Sequence, residues 1–135
     1  MSTQIFVNLP VKNLSRSMAF FADLGFSFEP KFTDKTAACI IVSDQIFVML
    51  LTEEKFRGFA PKPICDATKY TEVLLALSCD NRFQVDDYVR KAVAAGGSTY
   101  SEPQDYGFMY GHGFQDLDGH VWEVFHMEPN AALQK

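Results

Sequence analysis

The sequence predicts an α+β domain made of two similar βαβββ halves, and three observations predict it. A strand, a helix and three extended stretches follow one another twice along the chain. Each predicted helix stops at glycine, Gly25 in the first half and Gly96-Gly97 in the second. The 135 residues, 47% of them hydrophobic and 13 of them Phe, suit one domain with a genuine core.

In the first half, Ile5 to Val11 is apolar and β-branched and reads as a strand. Ser15 can cap a helix on which Leu14, Met18, Phe21 and Leu24 share a face. Three strand candidates follow, Phe26 to Phe32, Ala37 to Val42 and Ile46 to Leu51, with Ser43-Asp44-Gln45 as a turn between the last two.

In the second half, Val73 to Cys79 reads as a strand. Phe83 to Ala95 carries Val85, Tyr88, Val89, Ala92 and Val93 on one helical face. Extended stretches follow around Ser98 to Glu102, Tyr110 to Gln115 and Val121 to Met127, the last two joined across Asp118-Gly119. Val11-Lys12-Asn13 matches Cys79-Asp80-Asn81, and Leu24-Gly25-Phe26 matches Ala95-Gly96-Gly97. One module therefore spans about 1–52 and the other about 72–128, with a crossover over 53–71 and a short tail over 129–135. The crossover is long enough to be either a plain connection or a lid.

The net charge of −5, without a run of Lys and Arg, argues against a nucleic-acid partner. The longest apolar runs, such as Ile46 to Leu51, are strand-sized and far short of the roughly 20 residues of a membrane helix. The opening MSTQIFVNLP does not read as a signal peptide. Cys39, Cys65 and Cys79 are odd in number and form no C-x-x-C, as expected of free thiols in the cytoplasm.

The most specific stretch is Phe114-Gln115-Asp116-Leu117-Asp118-Gly119-His120-Val121-Trp122-Glu123-Val124. Asp-x-Asp-Gly makes a tight hairpin turn, with glycine supplying positive φ and the aspartates bonding local amides. This stretch resembles the closing F-x-D-P-D-G-x-x-x-E motif of the vicinal oxygen chelate superfamily, the glyoxalase/bleomycin-resistance/dioxygenase proteins. The opening, Leu9-Pro10-Val11-Lys12-Asn13-Leu14-Ser15-Arg16-Ser17 with Phe20-Phe21 and Leu24-Gly25-Phe26, is similar to the same family's first strand and helix. The resemblance implies two βαβββ modules forming a cupped mixed sheet. It implies a small-molecule ligand and a homodimer. It also admits lyases, isomerases and oxygenases beside binding proteins that perform no chemistry.

The resemblance further implies metal ligands, typically His, Gln or Glu, on the cup-facing sides of four strands. In this chain the last position is Glu123. The opening motif aligns the first-strand position with Phe6, and the tripeptide match carries Phe6 onto Leu74. The remaining position falls at Met49 or Leu50. One carboxylate beside three apolar residues cannot hold a divalent ion, so no metal or other cofactor is expected. A slip of two residues would instead bring Asn8 and Glu72 forward beside Glu123 as a poor oxygen-rich set.

Without a metal, Glu123 beside Phe6, Leu74 and Phe125 would be partly desolvated, which raises a carboxyl pKa. It is then a general base or a ligand-anchoring acceptor, or a relic satisfied by water. His112 shares its face if the closing turn has two residues and faces away if the turn has three. Tyr106 and Tyr110, in a stretch with Gly107, Gly111 and Gly113, form either an aromatic wall or ordinary core. His120 is expected in solvent beside the turn, His126 on the face opposite Glu123, and Trp122 on the outer face or at an interface. The function expected is small-molecule binding in an apolar cup without the usual metal. The alternative is a metal-dependent glyoxalase-like lyase, isomerase or dioxygenase using Glu123.

Overall fold

The computed structural model describes residues 3–129, so most of the expected tail lies outside the described residues. The chain divides into two compact units, with the boundary between Cys65 and Asp66.

In the first unit, strand β1 (Ile5–Val11) leads into helix α1 (Leu14–Asp23). The helix cap is Asn13 rather than Ser15: the Asn13 side chain accepts the Arg16 N–H at 3.1 Å, which satisfies a donor the helix itself cannot. Gly25 adopts φ +102° and ends the helix as expected. The stretch expected as one strand from Phe26 to Phe32 is shorter. It gives β2 (Ser27–Phe28) and then a 3₁₀ turn over Pro30–Phe32, because Pro30 has no N–H for a ladder. Strands β3 (Ala37–Ile41) and β4 (Ile46–Thr52) complete a sheet of order β1-β4-β3-β2 in which β1 and β4 run parallel.

Pleating sorts the side chains of this sheet. Leu9, Val48, Leu50 and Ile40 are buried on one face, and α1 brings Phe20 and Phe21 to β3 and β4. Phe6, Asn8, Met49 and Leu51 point to the other face. The start of the crossover is a helix, α2 (Glu53–Phe59), capped by Thr52 and packed against β1 and β4.

The second unit repeats the plan with strand β5 (Leu74–Ser78), helix α3 (Arg82–Ala94) and strands β6 (Gln104–Asp105), β7 (Met109–Gln115) and β8 (Val121–Met127). Its sheet order is β5-β8-β7-β6, with β5 and β8 parallel. Asn81 caps α3 by accepting the Gln84 N–H at 2.8 Å, the counterpart of Asn13. Gly96 takes φ +107°, the counterpart of Gly25. The extended stretch expected at Ser98 to Glu102 pairs only through a bridge from Ser98 to Gln115, and the edge strand lies just beyond it. Val85, Val89 and Ala92 of α3 are buried with Phe114, Trp122 and Val124.

Trp122 corrects one expectation. It is 0% exposed rather than on an outer surface; its ring is parallel to that of Phe114, with centroids 6.2 Å apart. Its indole N–H donates to Asp116 Oδ2 at 3.0 Å. His120 corrects another: it is buried, not in solvent. Asp116 gathers this corner, because its Oδ1 accepts the backbone N–H of both Asp118 and His120 at 3.0 Å. Burial pushes the Asp116 carboxyl up, against the pull of His120 and these hydrogen bonds. Among the described residues no helix is long and apolar enough to cross a membrane.

Candidate functional site

The closing hairpin decides which residues share a face with Glu123. Asp116 N–H donates to the His120 carbonyl at 3.1 Å, leaving Leu117 to Gly119 as a three-residue turn with Gly119 at φ +87°. Glu123 therefore stands opposite Gly113, and Phe125 opposite Gly111. His112 pairs with Val124 and shares the α3-facing side. The three-residue alternative is the one observed, and it takes the His112 imidazole off the Glu123 face. Its Nδ1 accepts the Gly113 N–H at 2.9 Å.

On the Glu123 face lies a pocket of about 340 Å³ contained within the second unit. Glu123, Phe125 and Tyr106, all expected at the site, line it, and His112 borders it from its strand. Sequence reasoning missed Tyr100, Met109 and Met127. Tyr100 is the informative omission. A β-carbon built on Gly113 would lie 2.6 Å from Tyr100 Cζ, so the phenol rests on the bare backbone opposite Glu123. Burial raises the Tyr100 pKa, and the negative charge of Glu123 raises it further. Glu123 itself is half-buried and makes no hydrogen bond or ion pair among the described residues. The signal for Tyr100 in the sequence is Gly113 itself, since a glycine within a strand lets another group approach the backbone closely; here that group is a tyrosine.

Other expected site residues lie elsewhere. Tyr110 faces α3, where its hydroxyl donates to Asp86 at 2.6 Å and the Arg82 guanidinium lies over its ring. Leu50 is 0% exposed on the α1 side, so Met49, the other candidate in that register, is the residue on the Phe6 face. Phe6 and Asn8 line a separate depression of about 460 Å³ in the first unit, with Met49, Phe59 and two lysines, Lys31 and Lys55. Leu74 shares the face of Glu123 but pairs with Val121, outside the pocket, and Glu72 is exposed ahead of β5.

The ladders also settle how the two units correspond. Asn8 precedes Val11 by the same interval as Ala76 precedes Cys79, and these residues pair with Met49 and Glu123 respectively. Glu123 is thus the counterpart of Met49, and Leu74 of Phe6.

A model of the glyoxalase/bleomycin resistance protein/dioxygenase superfamily matches residues 4–124. The chain belongs to this superfamily. Among solved structures it is similar to a hypothetical protein from S. aureus, with 30% identity over 93% of this chain and 95% of that one and a TM-score of 0.78. It is similar in fold to a superfamily enzyme from Burkholderia phytofirmans PsJN, with 16% identity, 93% and 99% coverage and a TM-score of 0.76. A superfamily protein from Nocardioides gives 19% identity, 96% and 85% coverage and a TM-score of 0.69. No curated protein matches the chain.

Metal-dependent members of the superfamily require several oxygen or nitrogen donors. Of the four positions that the resemblance implies as ligands, Phe6, Met49 and Leu74 supply no such donor and Glu123 supplies one carboxylate. Among the described residues no three His, Cys, Asp or Glu gather where one ion could be held. The residue set does not fit a divalent ion.

Proposed function

We propose that this superfamily member binds a small molecule in the pocket on the Glu123 face and does so without a divalent metal. The observation that carries the reading is a half-buried carboxylate with no hydrogen-bond or ion-pair partner among the described residues, in a pocket otherwise lined largely by aromatic rings, methionines and glycine backbone. A buried or half-buried polar group in such a place is costly unless something completes its hydrogen bonds. In this reading Glu123 is the acceptor that anchors the ligand. The three free thiols fit a cytoplasmic setting, and a homodimer is expected as in other proteins of this family and size.

The test joins metal analysis to a ligand screen. The protein is dialysed against Zn²⁺, Ni²⁺, Mn²⁺ and Fe²⁺, and its metal content is measured; the expected result is no stoichiometric ion. An aromatic fragment library is then screened by amide chemical shifts. Fragments should move the Gly111 and Gly113 amides in the natural protein and lose affinity in Glu123→Gln. One equivalent of metal that disappears in Glu123→Gln would overturn the metal-free reading. Fragment binding indifferent to that substitution would overturn the anchor. A monomer mass by light scattering would remove the dimer.

A further inference from the structure

The charge of the pocket and the shape of its floor narrow the class of ligand. The acidic groups lining it are Glu102 and Glu123, and neither Lys nor Arg is among its lining residues. The nearby guanidinium of Arg82 is held by Asp105 at 2.7 Å and lies over the Tyr110 ring, which faces α3. His112 also turns its ring to that side. An anion entering the pocket would meet two carboxylates and no counter-charge. A neutral molecule would leave Glu123 without an ion partner. A cation would find one.

The floor favours a flat shape. Gly111 and Gly113 put no side chain on this face of β7, so the floor is peptide backbone at Gly111, beside Phe125, and the Tyr100 ring lying on Gly113. The walls are the rings of Tyr100, Tyr106 and Phe125 and the thioethers of Met109 and Met127. Aromatic faces attract cations, and thioethers pack well against aromatic rings.

We infer that this pocket selects a planar aromatic cation, with Glu123 as its counter-ion and the Tyr100 ring as one of the surfaces it stacks on. The inference rests on the pocket reading above and adds the sign and shape of the ligand.

The experiment uses three probes with one ring system, 9-aminoacridine (a cation at neutral pH), acridine (neutral) and acridine-9-carboxylate (an anion). Each is titrated into the full chain by fluorescence and calorimetry, with amide shifts of Gly111 and Gly113 reporting the location. The cation should bind at least roughly tenfold more tightly than acridine, and the anion most weakly. In Glu123→Gln that preference should fall to about twofold while acridine binding is retained, and added salt should weaken only the cation. If acridine or the anion binds the natural protein as tightly as 9-aminoacridine, or if the preference survives Glu123→Gln, the cation inference is overturned while the pocket stands. If no probe binds or moves those amides, the pocket reading itself fails and the inference falls with it.

Discussion

Tyr100 lies against Gly113 so closely that any β-carbon on Gly113 would overlap the phenol ring. Gly113 has an ordinary negative φ, so the demand for glycine is steric and comes from one neighbour. Gly113→Ala should therefore displace Tyr100, weaken aromatic probe binding several-fold and cost about 1–2 kcal/mol of stability. Removing the ring should remove the conflict. In urea unfolding, Tyr100→Ala combined with Gly113→Ala should cost less than the sum of the single changes. Additive effects would show that the two residues do not constrain each other.

Asp116 should be the most sensitive polar residue in the second unit. It is buried, and its two oxygens accept the indole N–H of Trp122 and two backbone N–H groups. Asp116→Asn turns one acceptor into a donor facing donors and should cost about 2–4 kcal/mol. Trp122→Phe loses one hydrogen bond and some ring area and also opens a small gap. Chemical denaturation of both variants checks this; near-natural stability of Asp116→Asn would contradict the hydrogen-bond arrangement.

Two glycines with similar backbone angles should respond differently to alanine. Gly107 has φ +82° and open space where a β-carbon would stand. Gly119 has φ +87°, and its β-carbon would come 2.8 Å from the Ala67 carbonyl oxygen. Gly107→Ala should cost only the left-handed penalty of about 1 kcal/mol, and Gly119→Ala should cost at least about twice that. Thermal melts of the two variants compare them directly.

The Tyr110 hydroxyl is pushed up to about 12 from the ordinary 10.0, first by its hydrogen bond to Asp86 and then by burial. A folded-state value above the unfolded one means that this contribution to stability is fully present below pH 10 and is lost as pH rises through about 12. Asp86→Asn should return the Tyr110 titration toward 10.0, followed by the ring carbon shifts in NMR. A titration unmoved by that substitution would show that Asp86 is not the cause.

Much of the fold was legible because its signals are local. Alternation, helix spacing and glycine stops marked both halves, whereas the cap of the first helix is Asn13, the counterpart of Asn81, and not the expected Ser15. Pro30 lacks the N–H that a ladder needs, and it cuts the second strand short. The helix at Glu53–Phe59 announced itself by Thr52 followed by two glutamates, yet seven residues in a loop-rich stretch give little periodicity to detect. The site was harder to read. Whether His112 joins Glu123 turned on a single residue in the hairpin loop, and the choice between Met49 and Leu50 on a one-residue register between the two closing strands. Tyr100 reaches Gly113 from a segment outside any strand. His120 lies beside a hydrophilic turn that suggested solvent, whereas Asp116 folds that turn inward; Trp122 does alternate with Glu123, but the face opposite Glu123 is the one buried under α3.

The glycine floor bears on how such a protein changes over generations. The floor is open only because Gly111 and Gly113 carry no β-carbon, so a replacement at either one would put a side chain into the pocket. Novelty must then come from the walls, where Tyr106, Met109, Phe125 and Met127 can be exchanged one at a time. Gly113 is held a second time, by the Tyr100 ring that rests upon it. A lineage could thus change what it captures by a few replacements in the walls while its inherited floor stays the same.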